Sequence, residues 1–159
     1  METKNTLDLD YKAKLNENKI LAFVPSGNSM WPTLKNKGQS VVVKAKEERL
    51  EKFDVALYVR GQNTFVLHRV MEVLDDGYLM CGDSQFSLEK VLEDQIFGVM
   101  IGFYRGKKYV ESSDKKYKKK VQKWYKKKTY RKIRVKFFFL RKRIVNKLKR
   151  IFGGKKKNV

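Results

Sequence analysis

Apolar positions along this chain fall into short runs separated by glycine and polar turns. Ile20 to Pro25 is the first run, closed by Pro25 and Gly27. A second runs from Gln39 to Lys46, led by Val41-Val42-Val43, after the turn residues Lys35 to Gly38. Asp54 to Arg60 alternates, Gly61-Gln62-Asn63 turns the chain back, and Thr64 to Leu74 completes a hairpin. Asp75-Asp76-Gly77 is another turn, followed by a strand at Tyr78 to Cys81. A polar loop begins at Gly82-Asp83, and strands follow at Ile96 to Tyr104 and Lys107 to Val110. Short strands with glycine turns predict a mainly β body, an antiparallel sheet or barrel over residues 20–111. Residues 1–19 are polar, with Leu7, Tyr11 and Leu15 at helical spacing, and predict a short N-terminal helix or arm.

The texture changes near Ser112. Ile133, Phe137, Leu140, Ile144, Leu148 and Ile151 recur at intervals of three and four, one face of a helix. Lys and Arg fill the remaining positions. Ser112, Ser113 or Asp114 can cap the first helix, and Gly153-Gly154 ends the last. Residues 112–159 are therefore a polybasic, amphipathic helical tail. The formal net charge of +21 belongs almost wholly to it: residues 1–104 hold 13 Lys and Arg against 15 Asp and Glu, and residues 105–159 hold 25 against 2. So many like charges on a segment too poor in apolar residues for a core call for an anionic partner.

Composition narrows the chemistry. One cysteine, Cys81, permits no internal disulfide and reads as a small buried strand residue. One histidine and one cysteine argue against zinc, and no cofactor is expected. No apolar run approaches the roughly 18 residues of a membrane span, and the polar N-terminus carries no secretory pattern.

Ser29 sits just past the break after the first strand, with Gly27 before it and Pro32 after it. It either caps a helix beginning at Met30 or Trp31, or stands exposed on a tight turn beside backbone N–H groups, as acyl transfer requires. The string Gly27-x-Ser29-Met30-x-Pro32-Thr33-Leu34 closely resembles the nucleophile box of the signal peptidase I family and the Gly-x-Ser-Met box of the LexA-like self-cleaving proteases. Signal peptidases usually carry an N-terminal membrane anchor, and the polar start of this sequence leads to the expectation of none here.

A serine nucleophile needs a general base. His68, the only histidine, lies 39 positions after Ser29 in Val66-Leu67-His68-Arg69-Val70. On an alternating strand it shares a face with Val66 and Val70, while Leu67 and Arg69 share the other. A lone strand histidine is usually structural. Yet the endoplasmic-reticulum and archaeal type of signal peptidase is similar in having histidine within His-Arg-Val, which implies His68 as base. Near pH 7 an unperturbed imidazole is mostly neutral, and kcat/KM is expected to rise through a pKa of about 6–7.5.

Gly82-Asp83 follows in Met80-Cys81-Gly82-Asp83-Ser84 and resembles the family's Gly-Asp box, with Ser84-Gln85 where asparagines normally stand. The resemblance implies Asp83 as the acid that orients His68. Glu89 occupies the place of a second acid often present in the histidine type. Asp54, opening a strand, reads as a turn residue. The Ser29 N–H is the expected first oxyanion donor; Gly27 replaces the serine that supplies a hydroxyl in lysine-type enzymes.

The resemblance covers roughly residues 20–104 and implies a serine endopeptidase with the signal-peptidase/LexA-like β-fold. Its substrate would be a precursor peptide added as an extended strand, with small residues before the cut. The tail favours a peripheral site on an anionic membrane, on the cytoplasmic side by default. The alternative is a LexA-like regulatory protein whose tail binds nucleic acid.

Overall fold

The structure, a computed structural model, describes residues 13–35, 38–61 and 64–153. Residues 13–18 are helical, and the rest of the expected N-terminal arm lies outside the described residues. Eight strands follow: β1 Ile20–Phe23, β2 Val41–Ala45, β3 Val55–Arg60, β4 Thr64–Leu74, β5 Gly77–Cys81, β6 Glu89–Leu92, β7 Ile96–Arg105 and β8 Lys108–Glu111. Two helices close the chain, α1 Lys115–Lys126 and α2 Lys128–Gly153. The body is mainly antiparallel β, as its alternating apolar pattern predicts. β6 was not anticipated, because Glu89 and Lys90 break the apolar pattern there.

The strands form one sheet in the order β1-β2-β7-β3-β4-β5-β6, with β8 on β7. All pairings are antiparallel. Register fixes which side chains share a face. Ala56 stands opposite His68, Tyr58 opposite Val66, Val70 opposite Met80, and Met80 opposite Glu89. These residues line one face, where Tyr58, Val66, Val70, Tyr78, Met80 and Val91 form a buried cluster. Val55 pairs with Arg69 and Arg69 with Cys81, which puts Arg69 on the opposite face. Cys81 is buried at the end of β5, the quiet role expected of it.

The chain divides into two compact units, residues 1–119 and 120–159. The division falls inside α1, later than the composition shift at residue 112. Asp114 caps α1: its carboxylate accepts the Tyr117 N–H at 2.7 Å and its carbonyl accepts the Lys118 N–H at 2.9 Å. Tyr117 is buried in the first unit, its ring 5.7 Å from that of Phe103. The first turn of α1 thus belongs to the body. No helix among the described residues is long and apolar enough to cross a membrane.

Candidate active site

Ser29 lies in a turn rather than at a helix start. Gly27 enters it with φ +91°, a conformation open to glycine, and the Trp31–Pro32 peptide is cis. The turn is closed by Trp31 N–H donating to the Asn28 carbonyl at 3.0 Å and Leu34 N–H donating to the Met30 carbonyl at 2.9 Å. Met30 and Leu34 are buried and anchor the loop, while Ser29 is half-buried.

The loop after β5 clamps this turn. Ser84 N–H donates to the Ser29 carbonyl at 2.8 Å, and the Ser84 hydroxyl donates to the Asn28 carbonyl at 2.8 Å and reaches the Ser29 carbonyl at 3.1 Å. A side chain at Gly82 would meet the Ser29 carbonyl oxygen at 2.8 Å and the Ser29 Cβ at 3.0 Å. Glycine is therefore required there for the two loops to touch. Gly82 directly follows Cys81, which pairs with Arg69, the chain neighbour of His68, at the end of the β4–β5 ladder. The serine turn thus packs on the residue that follows β5, and β5 pairs with β4, the strand that carries His68.

His68 is 3% exposed. Its Nδ1 lies 3.1 Å from the Tyr58 hydroxyl oxygen. The Tyr58 hydroxyl donates to Glu89 Oε2 at 2.8 Å. A phenol has one proton, and an ionised carboxylate can only accept. The Tyr58 oxygen is then the acceptor toward His68, and His68 carries its proton on Nδ1 and a lone pair on Nε2. Arg60 completes the cluster. Its Nε donates to Glu89 Oε1 at 2.6 Å, its Nη2 donates to Glu89 Oε2, and that Nη2 also reaches the Tyr58 oxygen at 3.3 Å.

The electrostatics hold this arrangement. Burial, and then the Arg60 charge, push the His68 pKa down to about 4, against smaller opposing contributions from Glu89 and Asp83. Hydrogen bonding from Arg60 keeps Glu89 below the usual carboxylate range, hence ionised. Burial and the hydrogen bond to Glu89 raise the Tyr58 phenol, hence protonated. At neutral pH the cluster is a carboxylate, a phenol and a neutral imidazole whose Nε2 can accept a proton.

Asp83, expected to orient His68, is engaged elsewhere. Arg69 Nε donates to its Oδ1 at 2.7 Å, Arg69 Nη2 donates to its Oδ2 at 2.8 Å, and the Thr33 hydroxyl donates to Oδ2. The pairing of Arg69 with Cys81 brings the loop after β5 to the arginine, whereas His68 is on the other face of β4. Asp83 acts on His68 through its charge. The acid linked to the histidine is Glu89, through Tyr58. Asp54 is the turn residue anticipated, its carboxylate accepting the Glu51 N–H at 2.9 Å.

Arg69 ties together the elements around the serine turn. Beyond Asp83, it donates to the Phe53 carbonyl at 2.7 Å, and its Nη2 reaches the Thr33 hydroxyl at 3.3 Å and the Tyr117 hydroxyl at 3.2 Å. Thr33 and Ser84 stand in the two boxes without a role of their own there, and the sequence does not single out Tyr58, Arg60 or Tyr117 for the site. The only trace available there was alternation, which sets Tyr58 and Arg60 on one face of their strand. No cluster among the described residues could hold a metal ion. Comparison with family models found no match, and comparison with curated proteins found none either.

Proposed function

We propose that the body is a serine endopeptidase similar to signal peptidase I and the LexA-like proteases, acting on a leader or signal segment of a precursor peptide. One observation carries this reading. A turn bearing Ser29 is clamped against Gly82, at the end of β5, and β5 pairs with β4, the strand that holds the only histidine neutral with its Nε2 lone pair unprotonated. In that scheme Ser29 Oγ attacks the scissile carbonyl carbon and its proton passes to His68 Nε2. The backbone N–H of Ser29 faces the oxyanion, and the imidazolium returns the proton to the departing amine. Water then releases the acyl group by the same proton path. Glu89 and Tyr58 hold the Nδ1–H tautomer and balance the charge formed on the ring.

β1 pairs with β2 alone among the described strands, so its outer edge can accept an extended peptide. The serine turn follows that strand directly, which would bring the scissile bond to Ser29.

The test is cleavage of soluble peptides carrying small residues before the cut. Ser29→Ala and His68→Ala are each expected to lower kcat/KM by roughly 10⁴-fold or more and to leave the folded state intact. Cleavage by Ser29→Ala at the parent rate would end the serine mechanism.

A further inference from the structure

The sheet and its loops account for the body but leave α2 without a role. It carries eleven Lys and Arg and no Asp or Glu over Lys128–Gly153. Its apolar stripe, Ile133, Phe137, Leu140, Ile144, Leu148 and Ile151, is between 47% and 63% exposed. At about 100° per residue these six side chains fall within an arc of roughly 80°. Arg131 and Val135, which are buried, project from the opposite side of the helix. The stripe is thus on the exposed side of α2, opposite its buried residues. Arg134 and Arg141 stand along its border, where long cationic side chains can reach past an apolar boundary.

We infer that α2 docks in the plane of an anionic bilayer, with this stripe in the acyl boundary and its cations on the headgroups. Two features must be satisfied together, and they separate the partners. Nucleic acid would neutralise the cations but leave a contiguous stripe of large side chains in water. A second copy of the helix would cover the stripe but bring eleven further cations beside the first eleven. A lipid interface buries the stripe and supplies anions along its whole length. The helix lies on such a surface and does not cross it, since none among the described residues is long and apolar enough to span. The proposal is independent of the peptidase chemistry and places a protease of this kind where leader segments meet the membrane.

The test is flotation of the full chain with phosphatidylglycerol–phosphatidylcholine vesicles, alongside titration with duplex DNA. Phe137→Gln with Leu140→Gln preserves charge and helix propensity. It is expected to weaken vesicle binding by about 100-fold, with helicity by circular dichroism unchanged and DNA binding within about twofold. Phe137→Trp with Leu140→Trp keeps the stripe apolar and is expected to bind vesicles at least as tightly as the parent. Pure phosphatidylcholine vesicles are expected to bind far more weakly than mixed ones. Parent-like vesicle binding by the glutamine pair, or an equal loss of DNA and vesicle binding, would overturn the proposal. If the glutamine pair loses helicity, the tryptophan pair decides, and a 100-fold loss there overturns it.

Discussion

His68 and Arg69 are neighbours in sequence but occupy opposite faces of β4, in surroundings that differ in how completely charge is answered. Arg69 meets both oxygens of Asp83, the Phe53 carbonyl and the hydroxyls of Thr33 and Tyr117, and both members of the ion pair are buried. Nothing in that arrangement invites a proton to move. On the other face the imidazole is buried neutral, oriented through Nδ1 by a phenol, with its pKa held down to about 4. One face is a finished ion pair that fixes loops; the other is a base kept deprotonated. Burial alone does not distinguish structural from chemical groups here; completeness of partnering does.

The largest effect belongs to the ion-pair face. Asp83→Ala strands the Arg69 charge in the interior and is expected to destabilise the fold by about 3–5 kcal/mol in denaturant unfolding. The His68 tautomer should not change. If instead stability holds and the tautomer switches, Asp83 is the orienter after all.

The histidine face should appear in stability against pH. In the unfolded chain His68 titrates near its ordinary 6.5, whereas folded it resists protonation down to about 4. Its contribution is therefore fully present above pH 6.5 and is lost as pH falls toward 4, in total on the order of 3 kcal/mol. Glu89, whose folded pKa is lowered, weakens the fold in the same direction at still lower pH. His68→Gln should remove most of the slope between pH 6.5 and 4; an unchanged slope in that variant would refute the assignment. The same shift moves the acid limb of kcat/KM well below the 6–7.5 expected for an ordinary imidazole.

A smaller effect sharpens the contrast. Tyr58→Phe removes the acceptor for His68 Nδ1–H and leaves the Arg69–Asp83 pair untouched. Loss of one buried hydrogen bond, about 1–3 kcal/mol, corresponds to roughly a 10- to 100-fold drop in kcat. An unchanged KM would identify Tyr58 as a positioning residue. A parent-like kcat would remove it from the site.

Much of this fold is written in local pattern. β4 begins and ends where alternation and turn residues set it, and the stripe of α2 is visible in the spacing of Ile133 to Ile151. The partners of the charged groups are not local. Alternation alone separates His68 from Arg69, but assigning an acid to each requires cross-strand register. Arg69 opposite Cys81 carries Asp83 to the arginine, and Met80 opposite Glu89 carries Glu89 to the histidine side. β6 holds the second of these acids and lacks an apolar signature, so the resemblance offers Glu89 as a second acid but the chain does not show the pairing that brings it to Tyr58 and His68. Ser84 replaces an asparagine of the box it resembles, and its hydroxyl proves to be a clamp on the serine turn.

The proposed chemistry stands on a His68 that is held neutral, with its proton on Nδ1. Because the chain contains a single histidine, ¹⁵N NMR of the imidazole can be read without assignment ambiguity. At pH 7 the spectrum should show the Nδ1–H tautomer, and a titration should give a pKa near 4. An Nε2–H tautomer, or a pKa at or above the ordinary 6.5, would contradict the account.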